Sequence, residues 1–171
     1  MSEQSKFDYN HYQPTGVDQS FLPLLEDGAH CPTCGRFGKI YARGITGAMA
    51  YALILMAQYR EKNGDIYFHV EDYFKSLSGI PSSIRGDFSK LKHWGLIRSK
   101  AEQREDGSRR NGFYRITDRG VAFVHGGTTA SKHIAIYNEE FLGFLDDKRV
   151  TIEQCLGKKF NYQELMSWSL T

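Results

Sequence analysis

Two groups of residues in this 171-residue chain have the types and spacing to do chemistry. The first is Cys31-Pro32-Thr33-Cys34-Gly35, where a two-residue gap followed by glycine lets two thiolates face one tetrahedral zinc ion at about 2.3 Å. Two sulfurs are half a site. The other ligands would come from Cys155, His11, His30, His125 or His133, or from the same pair in a second chain. His30, adjacent to Cys31, would share the ion only in an awkward geometry. An unmetallated thiol pair and a redox dithiol are the alternatives; the latter wants the motif at a helix start after a strand, and Gly35 and Gly38 argue against that. A metal here would be structural, pinning an N-terminal arm to the body.

The second group is Ser82, Ser83, Arg85, Ser89, Lys90, Lys92 and His93, followed by Arg104, Arg109 and Arg110. Between Ser82 and Arg119, ten cationic residues face five acidic ones, while the whole chain carries only +2. A basic stretch on an otherwise mildly acidic chain is the footprint of a protein that grips a phosphate backbone. The plain alternative is that these charges solvate a hairpin edge and discourage edge-to-edge pairing.

The elements that must position these groups follow from periodicity. Pro81 suits a first helical turn, and Ser82 or its neighbours can cap the open amides. Ile84, Phe88 and Leu91 fall at i, i+4 and i+7, which predicts a helix over 82–93 with a polar outer face. Gly95 stops it, Leu96 to Lys100 reads as a strand, and Asp106-Gly107 marks a turn between two arms. Upstream, Met49, Ala50, Leu53, Ile54 and Ala57 predict a helix over 46–62 ended by Asn63-Gly64. A short strand at 66–69 and a short helix at 71–77 connect the two. Downstream, Thr117 caps a helix through Val124, 133–137 and 141–145 read as a hairpin, and Thr151 and Asn161 open two capped helical pieces. Trp94, Phe113, Tyr114 and Phe123 are assigned to the core.

This order, with Ser83-Ile-Arg, Leu91-Lys-His-Trp-Gly-Leu-Ile97 and Tyr114-Arg-Ile-Thr-Asp-Arg-Gly-Val-Ala-Phe123, resembles the winged helix-turn-helix domains of MarR-like and PadR-like transcription regulators. The resemblance covers roughly 45–125. It implies that Ser82–His93 is a recognition helix and Ser99–Asn111 a wing. The full chain, with its C-P-x-C-G loop, also resembles small phage-like or bacterial proteins. It departs from the regulators in lacking long flanking dimerisation helices and in placing Gly86 inside the recognition helix, at a cost of about 0.5–1 kcal/mol relative to Ala.

The expected architecture is α+β in three segments: an arm with the Cys-x-x-Cys loop over 1–44, a winged helix-turn-helix over 45–126, and a hairpin with short helices over 127–171. The expected function is duplex DNA binding, with 82–93 in the major groove and 99–111 on the backbone. Arg85 and Lys90 would reach guanine edges, the serines phosphates or base edges, and Arg104, Arg109 and Arg110 phosphates or a minor groove. A winged-helix module that binds a protein partner is the alternative, and a dimer fits either reading. An enzyme is not expected: there is no Walker-type Gly-rich loop, no G-x-S-x-G and no H-E-x-x-H. The longest apolar run, Ala48–Ala57, falls well short of the roughly 20 residues of a membrane span, and the polar N-terminus and three cysteines suit the cytoplasm.

Overall fold

The computed structural model describes residues 21–100, 112–145 and 148–168. In chain order these form a 3₁₀ turn Leu22–Leu25, β1 Ala29–His30, β2 Phe37–Gly38, β3 Tyr41–Gly44, α1 Gly47–Asn63, β4 Phe68–His69 and α2 Val70–Ser76. Two 3₁₀ segments follow, Ser82–Arg85 and Phe88–Trp94, then β5 Ile97–Ser99, β6 Phe113–Ile116, α3 Asp118–Val124 and β7 Ala130–Ser131. The chain closes with β8 His133–Tyr137, β9 Glu140–Phe144, β10 Arg149–Val150, α4 Ile152–Leu156 and α5 Tyr162–Ser167. The fold is mixed α+β and divides into two compact units, one holding the residues up to Gly44 with 131–149, the other 45–130 with the residues from Val150 on.

The larger unit is built around α1. Thr46 Oγ1 accepts from the Met49 amide at 3.2 Å and fixes the helix start. At the other end Gly64, with φ +87°, returns its N–H to the Arg60 carbonyl. Every residue from Met49 to Ala57 is buried, so α1 is apolar on all sides and not along one stripe. That is the pattern of a central helix, and α3, α4, α5, β6 and both 3₁₀ segments pack around it. Arg60 donates to Asp118 at 2.6 Å and to the Ile116 carbonyl, tying the end of α1 to the start of α3.

A three-stranded antiparallel sheet in the order β4-β6-β5 flanks this core. Phe68 lies opposite Tyr114, and Ile97, Arg98 and Ser99 lie opposite Ile116, Arg115 and Tyr114. Thr117 locks the sheet to α3: its hydroxyl donates to the Gly95 carbonyl at 2.6 Å and accepts from the Gly120 amide at 3.0 Å. Gly120 is required there, because a Cβ would overlap the Leu96 carbonyl oxygen. Phe123 is buried, whereas Phe113 and Tyr114, on the central strand β6, are only half-buried. The upstream strand is shorter than expected, since Ile66 is exposed and pairing begins at Phe68.

The smaller unit pairs β1 with β2, and β3-β8-β9 as a second antiparallel sheet. Asn138 and Glu139, both at positive φ, form the two-residue turn between β8 and β9. Leu25, Ile40, Ala135 and Leu142 form its core, with Phe21, Tyr137 and Leu145 against them. The stretch 127–171 is therefore divided: the β8-β9 hairpin pairs with β3 in one unit, while α4 and α5 pack on α1 in the other. The Thr151–Gln154 capping box starts α4, Asn161 caps α5, and Gln58 donates to the Leu165 carbonyl at 2.8 Å.

Candidate nucleic-acid interface

The residues 82–94 do not form one α-helix. They fold as two 3₁₀ segments with a break at Gly86-Asp87. The physical reason lies in the apolar spacing. Phe88, Leu91 and Trp94 repeat every three residues, which at three residues per turn stacks all three on one buried face of a 3₁₀ helix. Ile84 is buried from the preceding segment, and Gly86, with its low helix propensity, separates the two. No side chain caps the start at Pro81, so the hydroxyls of exposed Ser82 and Ser83 are not spent on the helix end. Gly95 closes the stretch in the left-handed conformation, φ +70° and ψ 18°, with its N–H directed to the Lys92 carbonyl at 3.0 Å.

The polar residues are unequal. Ser82, Ser83 and Lys92 are exposed, while Arg85, Ser89, Lys90 and His93 are half-buried. Lys90 Nζ lies 2.8 Å from Asp87 Oδ1, so a base contact by Lys90 requires that pair to open. The Arg85 Nε is enclosed and, among the described residues, without a hydrogen-bond partner. Glu71 on α2 is held below the usual carboxylate range, first by its hydrogen bond and charge pairing with Lys75, and also by the fields of His69 and Arg85. Arg85 thus already answers partly to an acidic neighbour.

On the hairpin, Arg98 and Arg115 lie directly opposite across β5 and β6. Two like charges at such a pair repel unless one is compensated. Arg115 is: it lies 2.8 Å from Asp65 and its guanidinium sits 5.3 Å from the Tyr67 ring centre. Tyr67 first and Asp65 second raise its already high pKa. Arg98 is left exposed on β5, as is Arg119 on α3 beside Gly95. Both stand close in sequence to the predicted contacts but were not among them; the strand register and the turn of α3, rather than any motif, bring them out. Arg104, Arg109 and Arg110, with the Asp106-Gly107 turn, lie outside the described residues. At the base of the hairpin, Gly112 at φ +96° packs beneath the His69 ring and accepts from the Val70 amide at 3.0 Å.

No family model, no curated protein and no solved structure matches this chain.

The two predicted metal ligands sit in the smaller unit, on the turn between β1 and β2. The Cys31 amide donates to the Arg36 carbonyl and the Gly35 amide to the Cys31 carbonyl, both at 2.8 Å. Gly35 turns the loop at φ +72°, and the His30 ring nitrogen Nδ1 lies 3.0 Å from the Gly35 carbonyl. The backbone N–H groups of Cys34 and Thr33, and then the Cys34 thiol, point at the Cys31 sulfur and lower its pKa. Cys31 and Cys34 line a cleft of about 350 Å³ with Arg36, Phe37, Lys39 and Tyr41.

Among the described residues, no group of three or more His, Cys, Asp or Glu gathers as a ligand set. Cys155 belongs to α4, where burial pushes its thiol up to about 12, and His125 is 3.2 Å from Glu61. His11 lies outside the described residues.

Proposed function

We propose that residues 45–126 are a winged helix-turn-helix that binds duplex DNA as a small transcription regulator. The observation that carries this reading is the order α1, β4, α2, the 82–94 stretch, β5 and β6, joined in a sheet of order β4-β6-β5. That arrangement presents one short helical stretch and one hairpin arm on a common scaffold, as a groove reader with a backbone-gripping wing requires. The local excess of cations supports it.

The side-chain environment refines the mode of contact. Ser82, Ser83 and Lys92 are exposed and suited to phosphates, whereas Arg85 and Lys90 reach base edges only by leaving half-buried positions. Arg98, Arg104, Arg109 and Arg110 supply the wing's grip on the backbone. Binding therefore rests more on phosphate contacts than the sequence spacing alone suggests. Among the described residues, no helix is long and apolar enough to cross a membrane, and the site of action proposed is the cytoplasm.

The test is retention of a mixed duplex DNA pool by the full chain at about 50 and 200 mM salt, followed by sequencing. Enrichment of one motif, with affinity falling steeply in salt, supports the reading. No retention at either salt removes it in favour of a protein-binding winged helix.

A further inference from the structure

The geometry points to Cys31 and Cys34 as half of a tetrathiolate zinc site completed by the same two cysteines of a second copy of this chain. The loop is preformed. Its two 2.8 Å backbone hydrogen bonds and the left-handed Gly35 hold the turn shut. Both cysteines line one cleft and their side chains are within hydrogen-bond reach of each other, so a single ion can meet both.

Zinc in a structural site takes four ligands, and the described part of this unit offers two. Cys155 is a half-buried thiol on α4 that burial pushes up to about 12, and among the described residues His30 does not gather with the two cysteines as a third ligand. A two-fold axis through the ion supplies the missing pair without any new residue, because the same patch then meets itself.

The rim fits that partner. Phe37 is 57% exposed and Tyr41 50%, an apolar surface on the cleft that a single copy leaves in water. Arg36 and Lys39 share the cleft with the sulfurs, so two bare rims repel each other. One zinc ion with four thiolates carries a charge of about −2, which offsets those cations. The ion is therefore what allows the two like-charged faces to meet. The inference stands apart from the DNA reading, which concerns the other unit, although two copies would also provide two reading heads.

The experiment measures zinc content and mass on the purified full chain. The expected result is about 0.5 zinc per chain in a species of twice the 19.6 kDa chain mass, dissociating to single chains on chelation. Replacing zinc by cobalt should give the intense visible bands and sulfur-to-cobalt charge transfer of a tetrahedral thiolate site, which needs no variant to fold. Cys31→Ser and Cys34→Ser should each lose metal and dimer together, while Cys155→Ser keeps both. One zinc per single chain would overturn the sharing, absence of zinc would overturn the site, and a dimer that survives chelation would overturn the bridging role.

Discussion

The 82–99 stretch and the 31–35 loop hold their chemistry by opposite means. In the first, backbone geometry is set by burying Ile84, Phe88, Leu91, Trp94 and Leu96, and the polar side chains ride on whatever faces remain. In the second, backbone hydrogen bonds set the shape, Cys34 lies exposed beside a half-buried Cys31, and the neighbouring Phe37 is largely in water. Function on a packed scaffold is damaged mainly through stability. Function on a hydrogen-bonded loop can be removed while the rest of the chain stays folded.

Substitutions should separate the two. The largest loss is expected for Trp94→Ala, which empties a fully buried site: about 3–5 kcal/mol by denaturant unfolding, with DNA retention lost along with the fold. A value near zero would mean that the 3₁₀ face is not a core face. Gly120→Ala should cost about 1–3 kcal/mol, since its Cβ meets the Leu96 backbone, which has no flexible end to move aside. Thr117→Ala should cost about 0.5–2 kcal/mol through loss of the α3 cap, with the Gly95 carbonyl also losing its donor.

Smaller effects sharpen the contrast. Lys92→Ala and Arg98→Ala should leave unfolding within about 0.5 kcal/mol of the parent, because both side chains are exposed. Each should flatten the logarithmic salt dependence of DNA binding by about 0.9 if it meets one phosphate. In the loop, alkylation of metal-free protein followed across pH should modify Cys31 first. Its lowered pKa places thiolate at a pH below that of an ordinary cysteine, and reactivity should fall as pH drops through that lowered value. Cys155, half-buried and pushed to about 12, should react last. Equal rates for the two would contradict the difference in environment.

Much of the scaffold is legible in the sequence because it is written in local signals. Thr46, Thr117, Thr151 and Asn161 cap the helices that begin after them, Gly64 and Gly95 end what precedes them, and the β8-β9 hairpin closes at Asn138. What escaped is set by partners far along the chain. The spacing of Ile84, Phe88 and Leu91 reads as α-helical, and only with Trp94 included does the period of three emerge. The α1 run is wrapped on every side because α3, α4 and α5 return to it, which no window around α1 reveals. Nor does composition show that Asp87 takes up Lys90, or Asp65 Arg115, so the count of cations overstates those free to meet phosphate.

The most direct test of the central claim is a residue-by-residue map of backbone amide shifts by NMR as duplex DNA is titrated into the full chain. The account predicts perturbations concentrated in 82–99 and in the arm that runs on to β6, fading as salt is raised, with 29–44 unchanged. Perturbations confined to 29–44, or none at low salt, would contradict it.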